Sequence, residues 1–440
     1  MTELNKLDAT AAANGLAQGD FTAEQLMHDC LARVELRDAD VRAWAHLDPH
    51  YALEMARAAD ALRPHQRGPL HGLPVGIKDI IDTADMPTEH GSPAYAGRRP
   101  SMDAQCVALL RAAGAIIMGK TVTTELANTN PGKTRNPHNL AHTPGGSSSG
   151  SGAGVADFQL PLALGTQTGG SVIRPASFNG IYGLKPTLGL IPRAGVLLQS
   201  HTLDTVGVYG RSLQDLALLT DCISSPDSSD PQSYLGTRTS LRKACNRPLT
   251  TPPRLAFLRT PAWDETHEGA KSAIEDLTAS LGEHCTLATL PSPYERILAL
   301  HGAVFGAENA HYYGDQFSAR PETMSNKLRA RMSDSFDLPA RHYIEALNQR
   351  EVIYRALEAL LARHDAILCL SATGPAPHGF DTTGSPAYNS PWTYLGVPCI
   401  SLPQLTVEGL PVGVQLVGTR GADAQLIRVA RWLDDRLGGA

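Results

Sequence analysis

Two glycine- and hydroxyl-rich runs stand close together in the chain. The first is Thr143-Pro-Gly-Gly-Ser147-Ser-Ser-Gly-Ser-Gly-Ala-Gly154. After an apolar stretch comes Gly165-Thr-Gln-Thr-Gly-Gly-Ser171-Val-Ile-Arg174-Pro175, and then Gly183-Leu-Lys-Pro-Thr187. Serine can bond covalently to a substrate, but its hydroxyl is a weak nucleophile at neutral pH and needs an adjacent proton acceptor. No histidine here belongs to a recognisable triad motif, and His90, His142 and His201 read as structural or surface residues. A lysine serves the same purpose when it is neutral, and burial favours that form. Lys78 directly follows the apolar run Val75 to Ile77, although a Lys78-Asp79 dipeptide taken alone reads as a surface ion pair.

Two short patterns suggest other chemistry and fail on context. Gly114-Ala-Ile-Ile-Met-Gly119-Lys120-Thr121 fits the phosphate-binding GxxxxGK[ST] pattern, but its apolar middle reads as a buried strand and a helix precedes it. Gly146-Ser-Ser148-Ser-Gly150 fits the GxSxG nucleophile elbow, but Asn139 to Pro144 do not form the strand that an elbow requires.

In order and spacing, the two runs and Gly183 to Thr187 resemble the amidase signature family. Gly72-Leu-Pro-Val-Gly-Ile-Lys78-Asp79 upstream, with Gly396-Val-Pro398 and Gly409-Leu-Pro-Val-Gly-Val-Gln415 downstream, extend the resemblance over most of the chain. It implies that Ser171 is the acyl-forming nucleophile, Ser147 a bridging serine and Lys78 the base. It also implies a cis Gly146-Ser147 peptide and an oxyanion hole formed by the N–H groups of Thr168, Gly169, Gly170 and Ser171. Each such donor is worth about 3 to 4 kcal/mol in the transition state. Water would then hydrolyse the acyl-enzyme, and the chemistry calls for no metal or cofactor.

The chain departs from the family pattern at two places. Many members carry Asp where Gln167 stands, and place the arginine two residues after the nucleophile, whereas Arg174 lies three after Ser171. The second departure resembles the malonamidase-like branch, in which the arginine faces a substrate carboxylate. A guanidinium grips a carboxylate through two parallel hydrogen bonds. The competing expectation is that Arg174 pairs with a structural acid beneath the loop.

Elements must hold these residues in place. Thr22 and Gln25 form a capping-box pattern ahead of a helix over 22–36, and a second helix runs through Ala52 to Leu62. Beyond Gly68, apolar runs at Val75 to Ile77, Ala115 to Met118, Leu160 to Leu164 and Val206 to Tyr209 alternate with helical stretches such as Ala104 to Ala113. Further strands are expected at Arg254 to Leu258, Ala366 to Leu370, Val397 to Leu402 and Pro411 to Val417, with helices over 268–281 and 423–437. The alternation predicts an α/β fold, a single large domain with a central mixed sheet covered by helices. Its parts are N-terminal helices in 1–62, a signature core in 63–222, a surface loop or linker in 223–253, and the rest of the sheet in 254–440. Pocket walls are expected after Glu125, around His301 to Tyr313 and around Tyr388 to Tyr394. The aromatic residues there, Tyr312, Tyr313, Tyr388, Trp392 and Tyr394, read more readily as core packing.

Composition narrows the partners. The 440 residues include 38 Lys and Arg against 44 Asp and Glu, and the basic residues are scattered, which argues against nucleic acid. At 42% hydrophobic and 19% charged, the chain can bury a large core. No run spans a bilayer and the start lacks a signal pattern, so a cytoplasmic protein without a membrane partner is expected. The seven cysteines form no CxxC pair and read as reduced, mostly buried thiols. The expected partner is a small-molecule amide, and a homodimer is a further expectation. Three rivals stay open: a carbamate, urea-type or ester hydrolase with the same triad, a glutaminase-type amidotransferase subunit, and a catalytically silent binding protein.

Overall fold

A computed structural model describes residues 3–438. Eleven strands form one mixed sheet. They are β1 (Trp44–Leu47), β2 (Pro74–Lys78), β3 (Ile116–Thr121), β4 (Leu162–Gln167), β5 (Tyr182–Lys185), β6 (Thr205–Gly210), β7 (Leu255–Leu258), β8 (Cys285–Ala288), β9 (Ala366–Leu370), β10 (Cys399–Val407) and β11 (Leu410–Val417). Their order across the sheet is β1-β3-β2-β4-β6-β5-β10-β11-β9-β7-β8. Fourteen α-helices among the described residues accompany the sheet, and the result is a single large α/β domain.

The strands in the middle of the sheet are buried along their whole length, which their unbroken apolar runs require. β2 runs parallel to β3 and to β4, with Ile77 opposite Leu164. The C-terminal ends of β2 and β4 therefore lie side by side, delivering Lys78 and Thr166 to the same end of the sheet. Crevices at the carboxyl ends of parallel strands are the usual ligand sites of α/β sheets.

The expected elements are present, with shifted ends. The capping box of Thr22 and Gln25 starts a helix that runs on to Val41, and the second helix spans Pro49–Asp60 behind the N-cap Asp48. Residues 116–121 form β3 rather than a phosphate loop, and the Lys120 ammonium is buried on Ile81 O and, at 2.7 Å, Thr88 Oγ1. The expected surface loop 223–253 contains one short helix, Leu241–Cys245.

Part of the Gly/Ser-rich run is helical. Ser149–Ala156 is a helix, although Ser and Gly alternate through its first four positions. Close packing overrides propensity here. A Cβ on Gly150 would stand 2.1 Å from Ala43 O and 2.4 Å from Val122 N, so the helix fits against its neighbours only because that position has no side chain. All seven cysteines are free thiols and five are buried. Among the described residues, no helix is long and apolar enough to cross a membrane.

Candidate active site

Lys78 ends β2 with its side chain completely buried. Its Nζ lies 2.7 Å from Ser147 Oγ and 2.7 Å from Thr166 Oγ1. Burial pushes the Lys78 pKa well below the usual lysine value, and the nearby Asp204 carboxylate only partly opposes that. No carboxylate among the described residues touches Lys78, so the site favours the neutral amine.

Ser147 sits where the loop turns into the helix Ser149–Ala156, and the Gly146-Ser147 peptide is cis. Both sides of that peptide are held. Thr124 N donates to Ser147 O at 3.1 Å, and Arg174 Nη2 donates to Gly146 O at 2.6 Å. Ser148, the middle of the elbow-like pattern, is locked onto β4 by its hydroxyl, which accepts from Thr166 N at 3.2 Å.

Ser171 lies between the end of β4 and the helix Ile173–Asn179, and is 9% exposed. Gln167 binds this turn together. Its Oε1 accepts from Val172 N at 2.9 Å and from Ile173 N at 3.0 Å, and its Nε2 donates to Thr393 Oγ1 at 2.8 Å. An amide at this position thus both caps the helix start and reaches a second element, which a carboxylate has no N–H to do.

The carbonyls of the loop are drawn away from its centre. His301 Nε2 donates to Thr168 O at 2.8 Å, Thr393 Oγ1 donates to Gly169 O at 2.7 Å, and the Tyr209 hydroxyl donates to Ser171 O at 3.1 Å. Thr168 Oγ1 donates to Asp204 Oδ1 at 2.5 Å. With these oxygens anchored, the N–H groups of Thr168, Gly169, Gly170 and Ser171 have no acceptor among the described residues. Gly170 has no room for a side chain: a Cβ would meet Asn389 Oδ1 at 2.4 Å. Burial lowers the pKa of His301 to about 4, so the ring is neutral near pH 7 and the bond to Thr168 places its proton on Nε2.

Arg174 is buried, and its surroundings correct one expectation. No acid among the described residues pairs with it beneath the loop. The guanidinium uses Nη2 on Gly146 O and, at 3.1 Å, on Thr383 Oγ1, while Nε and Nη1 are buried without a partner among the described residues. Desolvation lowers its pKa to about 10, which still leaves it charged at neutral pH.

A second arginine, which no motif marks, is Arg331 on the helix Asn326–Phe336. Its guanidinium lies 4.2 Å from the centre of the Phe305 ring, and that ring stacks on His301 at 6.0 Å. Burial lowers its pKa to about 10, and no described carboxylate pairs with it. One turn earlier, Lys327 Nζ donates to Asp381 O, two residues from the Thr383 that holds Arg174. The helix therefore bridges between the Arg174 side and the His301 side of the loop.

The aromatic candidates belong to the core. Tyr388, Trp392 and Tyr394 are fully buried, with Tyr388 on Thr266 at 2.7 Å and Trp392 stacked on Tyr294. Tyr313 is buried too, and Tyr312 lines a separate pocket with His201, Glu308 and Tyr343. His90 packs edge-on against Tyr95, and His142 Nδ1 bonds Ala376 O.

The family model for Amidase matches residues 25–427. The chain belongs to the amidase family. Relatives of this amidase include a glutamyl-tRNA(Gln) amidotransferase subunit of Chloroflexus aurantiacus, 35% identical over 98% of this chain and 96% of that protein. The corresponding subunit from Symbiobacterium thermophilum is 32% identical over 94% and 93%. Among solved structures, a chain of a vestigial complex reported to reveal the evolutionary origins of an s-triazine catabolic enzyme superposes with a TM-score of 0.92 at 26% identity, covering 99% of both chains. The peptide amidase of Stenotrophomonas maltophilia superposes with a TM-score of 0.84 at 27% identity, over 99% of this chain and 97% of that one. The protein is accordingly an amidase-type hydrolase.

Thr166, Gln167, Asp204, His301 and Thr393 support the site of this amidase without belonging to any pattern that assigned them a role. The signal for Thr166 lay within the motif, two residues before Thr168. His301 and Thr393 fall in the stretches expected to wall the pocket, but their bonds to the loop, across more than 130 intervening residues, have no signal in the sequence.

Proposed function

We propose that this amidase hydrolyses the C–N bond of a small amide that carries a carboxylate. The observation that carries this reading is Lys78, a buried lysine with no paired acid among the described residues, in hydrogen-bond contact with Ser147.

In this reading Ser171 attacks the carbonyl carbon. Its proton passes to Ser147, whose own proton passes to the neutral Lys78 amine, so two protons shift, the net transfer is one proton from Ser171 to Lys78, and no charge is brought in from solvent. The oxygen of the tetrahedral intermediate is received by the free N–H groups of Thr168, Gly169, Gly170 and Ser171. Lys78, now an ammonium in a site that disfavours it, returns the proton through Ser147 to the leaving nitrogen, and the C–N bond breaks. Water then attacks the ester on Ser171 by the same relay in reverse.

The carboxylate follows from charge. A buried cation without an anion is costly, and proteins pair such groups. Arg174 is buried and lacks a carboxylate partner among the described residues, so a carboxylate on the substrate supplies the missing anion. Arg331, partly exposed and set behind the Phe305 ring that stacks on His301, is a second cation with no paired acid among the described residues. Arg174 keeps its hold on Gly146 O throughout, and the substrate's charge is felt by its unpaired Nε and Nη1 edge.

A second reading rests on the amidotransferase relatives, which match over nearly the whole chain. There the amide is glutamine, itself a carboxylated amide, and the ammonia passes to a partner. Ammonia release by the purified chain, measured on neutral amides, short carboxylated amides, glutamine and carbamates, separates the readings. Turnover favouring a short carboxylated amide supports the first. Glutamine hydrolysis that requires a co-purifying protein supports the second, and preference for neutral amides rejects the carboxylate.

A further inference from the structure

A second cluster of arginines lies away from the serines, in a pocket of about 390 Å³ whose walls include Thr187, Gln232, Tyr234, Arg350 and Arg420. Arg350 comes from the helix Ala340–Leu361, and Arg420 follows β11. Their charges repel: burial and Arg420 together lower the pKa of Arg350 to about 10. The carboxylate closest to them is that of Glu351, 2.9 Å from Arg420 Nη1 and itself more than half exposed. Arg420 Nη2 is buried with no acceptor among the described residues, while its guanidinium stacks 3.7 Å from the centre of the Tyr354 ring. Arg350 approaches over Gly396, where any Cβ would fall 2.9 Å from its Nη2. The pocket thus presents two cations against one screened anion.

The same two side chains hold the end of one short helix, Ser390–Leu395. Arg350 Nε donates to Tyr394 O, and Arg420 Nε donates to Leu395 O at 2.7 Å. That helix carries Thr393, whose hydroxyl holds Gly169 O and accepts from Gln167. The arginine contacts therefore fall one and two residues beyond the side chain that anchors the loop beside Ser171.

We propose that this pocket is a regulatory binding site for a small multivalent oxyanion, a phosphate or a polycarboxylate, held between Arg350 and Arg420. The anion relieves the repulsion between the two guanidinium groups and fixes them on the carbonyl end of Ser390–Leu395. Thr393 is thereby steadied, and the Gly169 loop with it. Paired guanidiniums suit oxyanions because each offers parallel N–H donors.

The test uses the full chain with inorganic phosphate or citrate against chloride at matched ionic strength, reading melting midpoint and kcat on an amide the wild type turns over. A ligand that binds only the folded chain raises the midpoint with concentration, as mass action requires. Gln232→Glu places a carboxylate on the pocket wall with almost no change of shape and leaves both arginines in place. The expected result is a midpoint and a kcat that rise with phosphate or citrate, with an apparent Kd roughly tenfold weaker or more in Gln232→Glu. The effective anion identifies the source. Equal responses in wild type and Gln232→Glu, or no response beyond that of chloride, would overturn the site. A rise in midpoint with kcat unchanged would overturn the coupling to Gly169. Inactivity on every amide, with the midpoint shift intact, would count against the proposed hydrolysis and not against this site.

Discussion

Lys78 Nζ and Ser147 Oγ lie 2.7 Å apart, joining the end of β2 to a cis peptide 69 residues away, and both side chains are shut off from solvent. Few arrangements keep a lysine neutral near pH 7 while giving it a hydroxyl to exchange a proton with. Full burial without a paired acid does so.

This fixes the sign of the pH dependence. Burial holds the Lys78 pKa below its ordinary value, so acid protonates the base and alkali does not impair it until other groups titrate. Below that pKa, kcat/KM should fall about tenfold per pH unit, and above it should level off. A pH profile of initial rates checks this. A profile that climbs only near the pKa of a free lysine would contradict it.

The same group governs stability. Between the lowered folded pKa and the unfolded one, the unfolded chain holds a proton on Lys78 that the folded chain excludes, so Lys78 costs stability in that window, and the cost fades as pH rises towards the unfolded pKa. Lys78→Met should be inactive yet melt higher than the parent at neutral pH, with the gain shrinking towards about pH 10. Thermal melts at both pH values decide the point, and a lower midpoint at neutral pH would contradict it.

His301 is predicted to position the loop beside Ser171 rather than touch substrate. His301→Leu removes the donor to Thr168 O and should lower kcat by roughly 10- to 100-fold, a fraction of what a lost oxyanion donor costs. KM should change little, and His301→Gln, which retains an N–H, should recover most of the rate. Steady-state kinetics of the three proteins test this. A change confined to KM would assign His301 to the substrate instead.

Gln167 offers a stability measurement. Gln167→Leu removes the acceptor for two N–H groups at the head of the helix Ile173–Asn179 and the donor to Thr393. Loss of such a cap costs about 1 to 2 kcal/mol. Denaturant unfolding should show that loss, with a fall in kcat from the loosened Ser171 turn. Unchanged stability would mean that the cap adds nothing.

The arginines make different predictions for different amides. Arg331→Leu should raise KM for carboxylated amides by roughly ten- to a hundredfold, as expected for a lost charge-assisted contact. Neutral amides should be little affected. Arg174→Leu should in addition lower kcat for both classes, because it releases Gly146 O beside Ser147. Equal effects of Arg331→Leu on both classes would assign Arg331 to packing on Phe305.

The core of this arrangement is readable in the sequence because its chemistry is local. A capping box at Thr22, apolar runs at 75–77 and 206–209, and glycines around Ser171 encode what neighbouring residues must do. Other elements carry little such signal. β1 is four residues with a polar His46, β8 is largely exposed, and the long helix Ile297–Ala319 is apolar around much of its girth, which blurs its period. The supporting residues are hidden for another reason: Asp204, His301 and Thr393 reach Thr168 and Gly169 only after folding. Arg331 lies in a polar helix whose surroundings no linear pattern reveals.

The central claim is that Ser171 becomes acylated by the amide, and intact-protein mass spectrometry of the enzyme quenched during turnover tests it most directly. The account predicts an added mass equal to the acyl portion of the substrate, mapped by peptide fragmentation to Ser171 and absent from Ser171→Ala, which should also release no ammonia. An adduct on another residue, or ammonia release at the parental rate by Ser171→Ala, would contradict it.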